Sequence, residues 1–272
     1  MGLLADLRTR ALTLTKELTA NVADSGHAAL YLRQLLRGNR GDRAHAAAGP
    51  AADRAPGPPV LLIHGYLATK GSLHLLEEHL ARRGHVVMSF RFGPVPLNLG
   101  DIRDSAGLIA RKVESIIEQT GVERVDIVGH SMGGLVGLDY VKRLGGRHRV
   151  RRLVLMGTPT QGTWSALLGL VTAPLGLASL QLLPGSPFLQ ALADTPLPPG
   201  VDVVSIGALR DWLAPVARTA LAGVRQIDLP TGHSGLLVDE QVADIVDRIL
   251  REPDPASDAT GDAHVDGTPR PT

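Results

Sequence analysis

DIVGHSMGGLVGL, Asp126 to Leu138, sets one serine among four glycines at the point where an apolar run gives way to a helical pattern. A short apolar run bounded by glycine fits a buried strand, and the residues after it recur at helical spacing. A strand that turns directly into a helix forces strained dihedrals on the corner residue, so its neighbours must lack side chains that would collide. Two readings compete. The glycines relieve crowding in a tight turn, or the turn holds Ser131 up as a nucleophile. Gly129-His130-Ser131-Met132-Gly133 matches the G-x-S-x-G nucleophile elbow, a pattern built from common residues that decides nothing alone. The rest of the chain has to supply a base, an acid and an oxyanion site.

Outward from this stretch, short apolar runs alternate with longer helical patterns. The pattern predicts strands over Val60–Ile63, Val86–Phe90, Val125–Val128, Leu153–Met156, Val201–Ile206 and Gln226–Leu229. Their near-continuous apolar character fits strands covered on both faces, as in a parallel sheet. Helical periodicity covers His27–Arg37, Ser72–Arg83, Ile102–Gln119, Leu135–Leu144 and Asp239–Leu250. This order predicts an open, mostly parallel α/β sheet of about six strands with right-handed crossovers and helices on both faces. In such sheets ligands bind beyond the carboxyl ends of the strands, so a catalytic residue should follow a strand.

A serine hydroxyl needs a base to take its proton. Of ten histidines, His27, His45 and His264 fall in the N-terminal region, linker or tail. His74, His79 and His148 fall on helices or surface turns, and His85 precedes a strand at the wrong end of the sheet. His130, locked beside Ser131, reads as a packing residue. His233, in LPTGHSGLL, follows the last strand and is the candidate base. The acid candidates are Asp194, Asp202, Asp211 and Asp228. Asp202 begins a strand, Asp228 lies inside one and Asp194 sits in an insertion, which leaves Asp211 in GALRDWLAP as the preferred residue. The backbone N–H groups of Met132, at the start of the helix after the elbow, and of Tyr66, in the loop LLIHGYLATKGSL, are the candidate oxyanion donors.

LLIHGY, DIVGHSMGGL, LVLMGTPTQGT, SIGALRDWLAP and GHSGLL together resemble the lipase and esterase branch of the α/β-hydrolase superfamily, bacterial triacylglycerol-lipase-like proteins in particular. The resemblance spans about Val60 to Leu250. It implies Ser131 as nucleophile, His233 as base, Asp211 as its orienting acid and Tyr66 and Met132 as oxyanion donors. It departs from the family at Thr160, where the family's GTPH.G pattern has histidine. Two leading strands of larger hydrolases are also replaced by N-terminal helices, so a minimal six-stranded sheet is expected.

From Leu153 through Ala193 there is no Asp, Glu, Lys or Arg. A membrane span is disfavoured by Pro174, Pro184 and repeated glycines. A buried helix pair and a cap over the site both remain open; the cap is preferred, with Trp164, Leu167, Leu168 and Leu175 as candidate substrate contacts. The expected organisation is an N-terminal helical segment (1–37), a flexible Gly/Ala/Pro-rich linker (38–58), a hydrolase domain (59–251, cap about 160–199) and a disordered tail (252–272). The 272 residues carry 28 Lys and Arg against 27 Asp and Glu and no cysteine. No basic face argues for nucleic acid, and disulfides and thiolate metal sites are excluded. The N-terminus shows no secretory signal; Leu4, Leu7, Ala11, Leu14 and Leu18 recur at helical spacing, which suits packing on the domain, an oligomer contact or a membrane surface. A cytoplasmic or peripherally membrane-attached protein is expected. The function expected is cofactor-free hydrolysis of a small-molecule or lipid ester. Acyl transfer or thioester hydrolysis by the same residues, and a non-catalytic binding protein on the same fold, are the rivals.

Overall fold

The computed structural model describes residues 25–38, 57–92, 100–167 and 177–254. The first 24 residues, most of the linker, Leu168 and Leu175, and the tail from residue 255 lie outside them. Six strands form one sheet: β1 (Val60–Ile63), β2 (Val87–Ser89), β3 (Val125–His130), β4 (Val150–Met156), β5 (Asp202–Ala208) and β6 (Arg225–Leu229). Their order is β2-β1-β3-β4-β5-β6, and every pair is parallel.

Alternation along the central strands divides the core in two. Leu61, Ile63, Val125, Ile127, Leu153 and Leu155 point to one face, under α3 (Ile102–Thr120) and α4 (Met132–Arg143). Val60, Leu62, Val128, Val154 and Met156 point to the other, under α2 (His74–Arg82) and α9 (Glu240–Arg251). The connections carry further short helices: α5 (Leu177–Gln181), α6 (Pro187–Asp194), α7 (Val216–Thr219) and α8 (Gly235–Val238); α1 (Ser25–Leu35) precedes the sheet. The long helices begin and end where local chemistry allows. Asp101 accepts from Arg103 N at 2.7 Å at the start of α3, and Gly121, at φ +72, closes its end. Asp239 caps α9 through Gln241 N at 2.8 Å. Among the described residues no helix is long and apolar enough to cross a membrane.

The structure departs from the sequence reading at β4, which begins at Val150 rather than Leu153. Arg151 and Arg152 look like loop residues, yet both are buried within the strand. Arg151 makes a two-pronged pair with Asp126 on β3 and donates to the Leu250 carbonyl. Arg152 pairs with Asp202 on β5 at 2.6 Å and donates to the carbonyls of Ile249, Glu252 and Pro253. The two guanidinium groups thus satisfy the last carbonyls of α9, which have no partner within the helix, and clamp it to the amino ends of the strands.

Removing one partner of a buried ion pair strands the other charge. Asp126→Ala should therefore cost about 3–5 kcal/mol of unfolding free energy, whereas Arg225→Gln, which breaks an exposed pair with Glu252, should cost about 1 kcal/mol or less. Urea unfolding of the two variants checks the difference, and equal losses would contradict the clamp.

Candidate active site

All candidate chemistry lies at the carboxyl ends of β1, β3, β5 and β6. Ser131 is the one residue between β3 and α4, at φ +54 and ψ −127, a conformation an L-residue holds only when its surroundings impose it. Its N–H donates to Met156 O at 2.8 Å and its carbonyl accepts from Gly134 N at 3.0 Å, tying the corner to the end of β4 and to the first turn of α4. A Cβ at Gly133 would sit 2.3 Å from the Ile63 carbonyl oxygen, so only glycine lets the helix start this close to β1. The helix begins at Met132, three residues before the predicted Leu135, because the corner leaves no room for a loop.

His233 follows β6 and Asp211 follows β5. His233 Nδ1 lies 2.6 Å from Asp211 Oδ2, and Asp211 Oδ1 accepts from Ala214 N at 2.8 Å. The Asp211 side chain is fully buried, so both carboxylate oxygens are satisfied by the protein. With Nδ1–H engaged, the neutral imidazole keeps Nε2 as its acceptor. Ser131 and His233 line the same cavity of about 350 Å3, without a hydrogen bond between them. Candidate catalytic hydrogen bonds are often open before substrate binds.

The loop after β1 brings Gly65, Tyr66 and Leu67 to this cavity. Leu67 is the second non-glycine residue with positive φ, at +53, among those described. Met132 is the first residue of α4, so its N–H has no acceptor inside the helix. The Tyr66 side chain is hydrogen-bonded to Ser179 on α5, and burial raises its phenol above the usual value. Gly157, at φ +56, was not singled out by the sequence. A Cβ there would meet Leu236 at 2.8 Å, His233 Nδ1 at 3.2 Å and Asp211 Oδ2 at 3.3 Å. Only the glycine in GTPTQG hints at it.

Asp202, Asp228 and Asp194 lie elsewhere: Asp202 holds Arg152, Asp228 accepts from Gln226 at 2.7 Å and Asp194 ends α6. His85 binds Asp247 at the far end of the sheet. His130, read as packing, is buried with its ring 4.5 Å from that of His233 and its Nε2 3.2 Å from the His233 carbonyl oxygen. Of the candidate substrate contacts, Trp164 and Leu167 do not line the cavity. Ser165 and Ala166 between them, and Leu182 beyond, do. The segment turns some residues to the cavity and others away from it, which its uniform apolarity hides. Phe188, Leu189 and Leu192 of α6 are buried in the core with α3 and α4. The uncharged stretch therefore supplies core packing as well as cavity wall. Trp212 and Leu213 after Asp211, and Tyr31 and Leu35 on α1, also line the cavity and were missed.

A family model described as the alpha/beta hydrolase fold matches residues 58–187. The mature form of the Bacillus licheniformis lipase BlEst2 superposes with a TM-score of 0.62 at 18% identity, covering 74% of this chain and 96% of that one. Aspergillus fumigatus lipase B gives a TM-score of 0.61 at 16% identity, covering 79% of this chain and 57% of that one. A monoacylglycerol lipase from Paleococcus ferrophilus gives 0.53 at 17% identity, covering 72% and 96%. At such identities the likeness is one of fold.

Burial keeps the neighbouring imidazoles neutral. It pushes His64 down from 6.5 to about 4, against the Gly65 carbonyl 3.1 Å from its Nδ1, and it lowers His130 as well. A depressed folded value means that the unfolded chain takes up a proton first, so stability present above about 6.5 is lost as the pH falls towards about 4. For His64 alone this is about 3 kcal/mol. His64→Gln should flatten the pH dependence of the unfolding free energy by about one proton near pH 5. An unchanged slope would show that His64 is not held neutral.

Proposed function

We propose that this chain, a member of the α/β-hydrolase superfamily, is a serine hydrolase of uncharged carboxylic esters, working through an acyl-enzyme. The observation that carries this reading is the His233–Asp211 hydrogen bond of 2.6 Å on the wall of the cavity that Ser131 enters from its strained corner. A base oriented by a buried acid, beside a serine with no room to retreat, is what acyl transfer requires.

Ser131 Oγ attacks the ester carbonyl as His233 Nε2 takes its proton. Asp211 holds the ring in the tautomer with Nδ1–H and stabilises the imidazolium that forms. The backbone N–H groups of Tyr66 and Met132 donate to the oxyanion. The imidazolium then protonates the departing alcohol, and the same base activates the water that releases the acid. No Asp, Glu, Lys or Arg is among the described residues lining the cavity. A charged substrate would lose its hydration there without gaining a partner, so small-molecule or lipid esters with apolar groups are favoured.

Ser131→Ala should lower kcat/KM for p-nitrophenyl butyrate by about 10³-fold or more and abolish covalent labelling by a fluorophosphonate, while melting as the wild type does. Asp211→Asn should cost far more turnover than Asp202→Asn or Asp228→Asn, since an amide whose oxygen stays on Ala214 N turns its NH2 to His233 Nδ1 and favours the wrong imidazole tautomer. Near-normal turnover by folded Ser131→Ala, or a crippling Asp228→Asn, would sink the assignment.

A further inference from the structure

One wall of the cavity comes from ahead of the region matched by the family model, which begins at residue 58. Tyr31 and Leu35 of α1, one helical turn apart, line the cavity together with Ser131 and His233. The helix is held there by three anchors on one short segment. Thr69 Oγ1 donates to the Leu35 carbonyl at 3.0 Å, Gly71 N donates to the Gly38 carbonyl at 2.9 Å, and the Tyr31 phenol is hydrogen-bonded to Ser72. That segment continues directly from the loop carrying Gly65, Tyr66 and Leu67, so α1 is fixed to the same loop that borders Ser131. The rotation of the helix is specific: Tyr31 and Leu35 face inward, whereas Leu32 and Leu36 are 54% and 79% exposed.

We infer that Tyr31 and Leu35 form a subsite that sizes the apolar group of the substrate, so that chain-length preference is set by α1. The chemical class follows from the walls. Tyr31 spends its only polar atom on Ser72 and Leu35 has none, so what they contact has to be hydrocarbon. A cavity of about 350 Å3 is near the lower end of the ~300–1,000 Å3 of small-molecule sites, which favours a medium chain over a long one. The hydrolytic role of this subsite rests on the proposed chemistry of Ser131 and His233; its affinity for an alkyl chain does not.

The test has two readouts on the full chain. The first is the ratio of kcat/KM for p-nitrophenyl octanoate to that for the acetate, together with the same ratio for octyl and ethyl acetate, so that either half of the ester is sampled. The second is the shift in Trp212 emission, a side chain that lines the cavity, as 1-hexanol, 1-octanol or 1-decanol is titrated into a Trp164→Phe background. Each buried methylene is worth about fourfold in affinity, and Leu35→Ala removes three carbons of wall. Leu35→Ala should therefore shift alkanol preference towards the longer chain and raise one octyl ratio about tenfold or more, and Leu35→Phe should move both the other way. Leu32→Ala, on the outward face, should keep the wild-type pattern. If no ester is turned over while the alkanol preference still moves with Leu35, the subsite stands and the hydrolase reading falls. An alkanol preference unchanged in both Leu35 variants, or moved equally by Leu32→Ala, overturns the subsite whether or not esters are hydrolysed.

Discussion

β3 is hydrogen-bonded on both edges, to β1 and β4, and buried along its whole length, and the chain has to leave it for α4 through a single residue. A corner that tight holds a non-glycine residue at positive φ, which costs about 1–3 kcal/mol. The surroundings absorb that cost. Val128 before the corner and Leu135 and Val136 after it are essentially inaccessible, and the Ser131 N–H is drawn to Met156 O. Relaxing the corner would pull α4 off the sheet. The position of the Ser131 side chain is thus a by-product of covering β3, and the loops after β1, β5 and β6 have only to arrive at the same edge.

Much of this was legible because it is local. The strands are short apolar runs between glycines and prolines, and the alternation that divides the core is period-two along each strand. His233 and Asp211 could be singled out because each follows a strand and the sheet has only one functional end. What was not legible depends on partners far away in the chain. Arg151 and Arg152 read as a polar boundary, since nothing local shows that Asp126, Asp202 and the end of α9 wait for them. The leucines of the uncharged stretch have no polar neighbours to give them a periodicity, so their division between core and cavity could not be read. Tyr31 is brought to the site by anchors at Thr69, Gly71 and Ser72 and by packing on α8, across an intervening stretch of Gly, Ala and Pro that carries no pattern.

The electrostatics of the site follow from how completely its flanks are dried. His64 packs edge-on against Phe92, with centroids 5.1 Å apart, and His130 lies under the His233 ring. Positive charge on His130, or on His64 acting on it, would oppose the imidazolium that the proposed chemistry forms at His233. Burial removes that conflict by keeping them uncharged, and it leaves Asp211 as the carboxylate next to His233. A buried carboxylate tolerates desolvation only when its oxygens are engaged, and here one is given to Ala214 N and the other to His233.

A separation between reactivity and size follows from where the pieces lie in the chain. Ser131 and the donors beside it are fixed by sheet packing, so changes there disturb the core. Ala166 and Leu182 come from the connection between β4 and β5, and Tyr31 and Leu35 from a helix that contacts the domain chiefly through the 69–72 turn and α8. These walls can change volume without altering the strand ends, because no backbone hydrogen bond of the sheet passes through them. The same geometry limits how far they can move: Tyr66 is tied to Ser179 on one side and its loop carries Thr69 towards α1 on the other. Displacement of either wall would therefore be felt at the loop bordering Ser131, which couples the size of the cavity to the placement of a backbone N–H that the proposed chemistry needs.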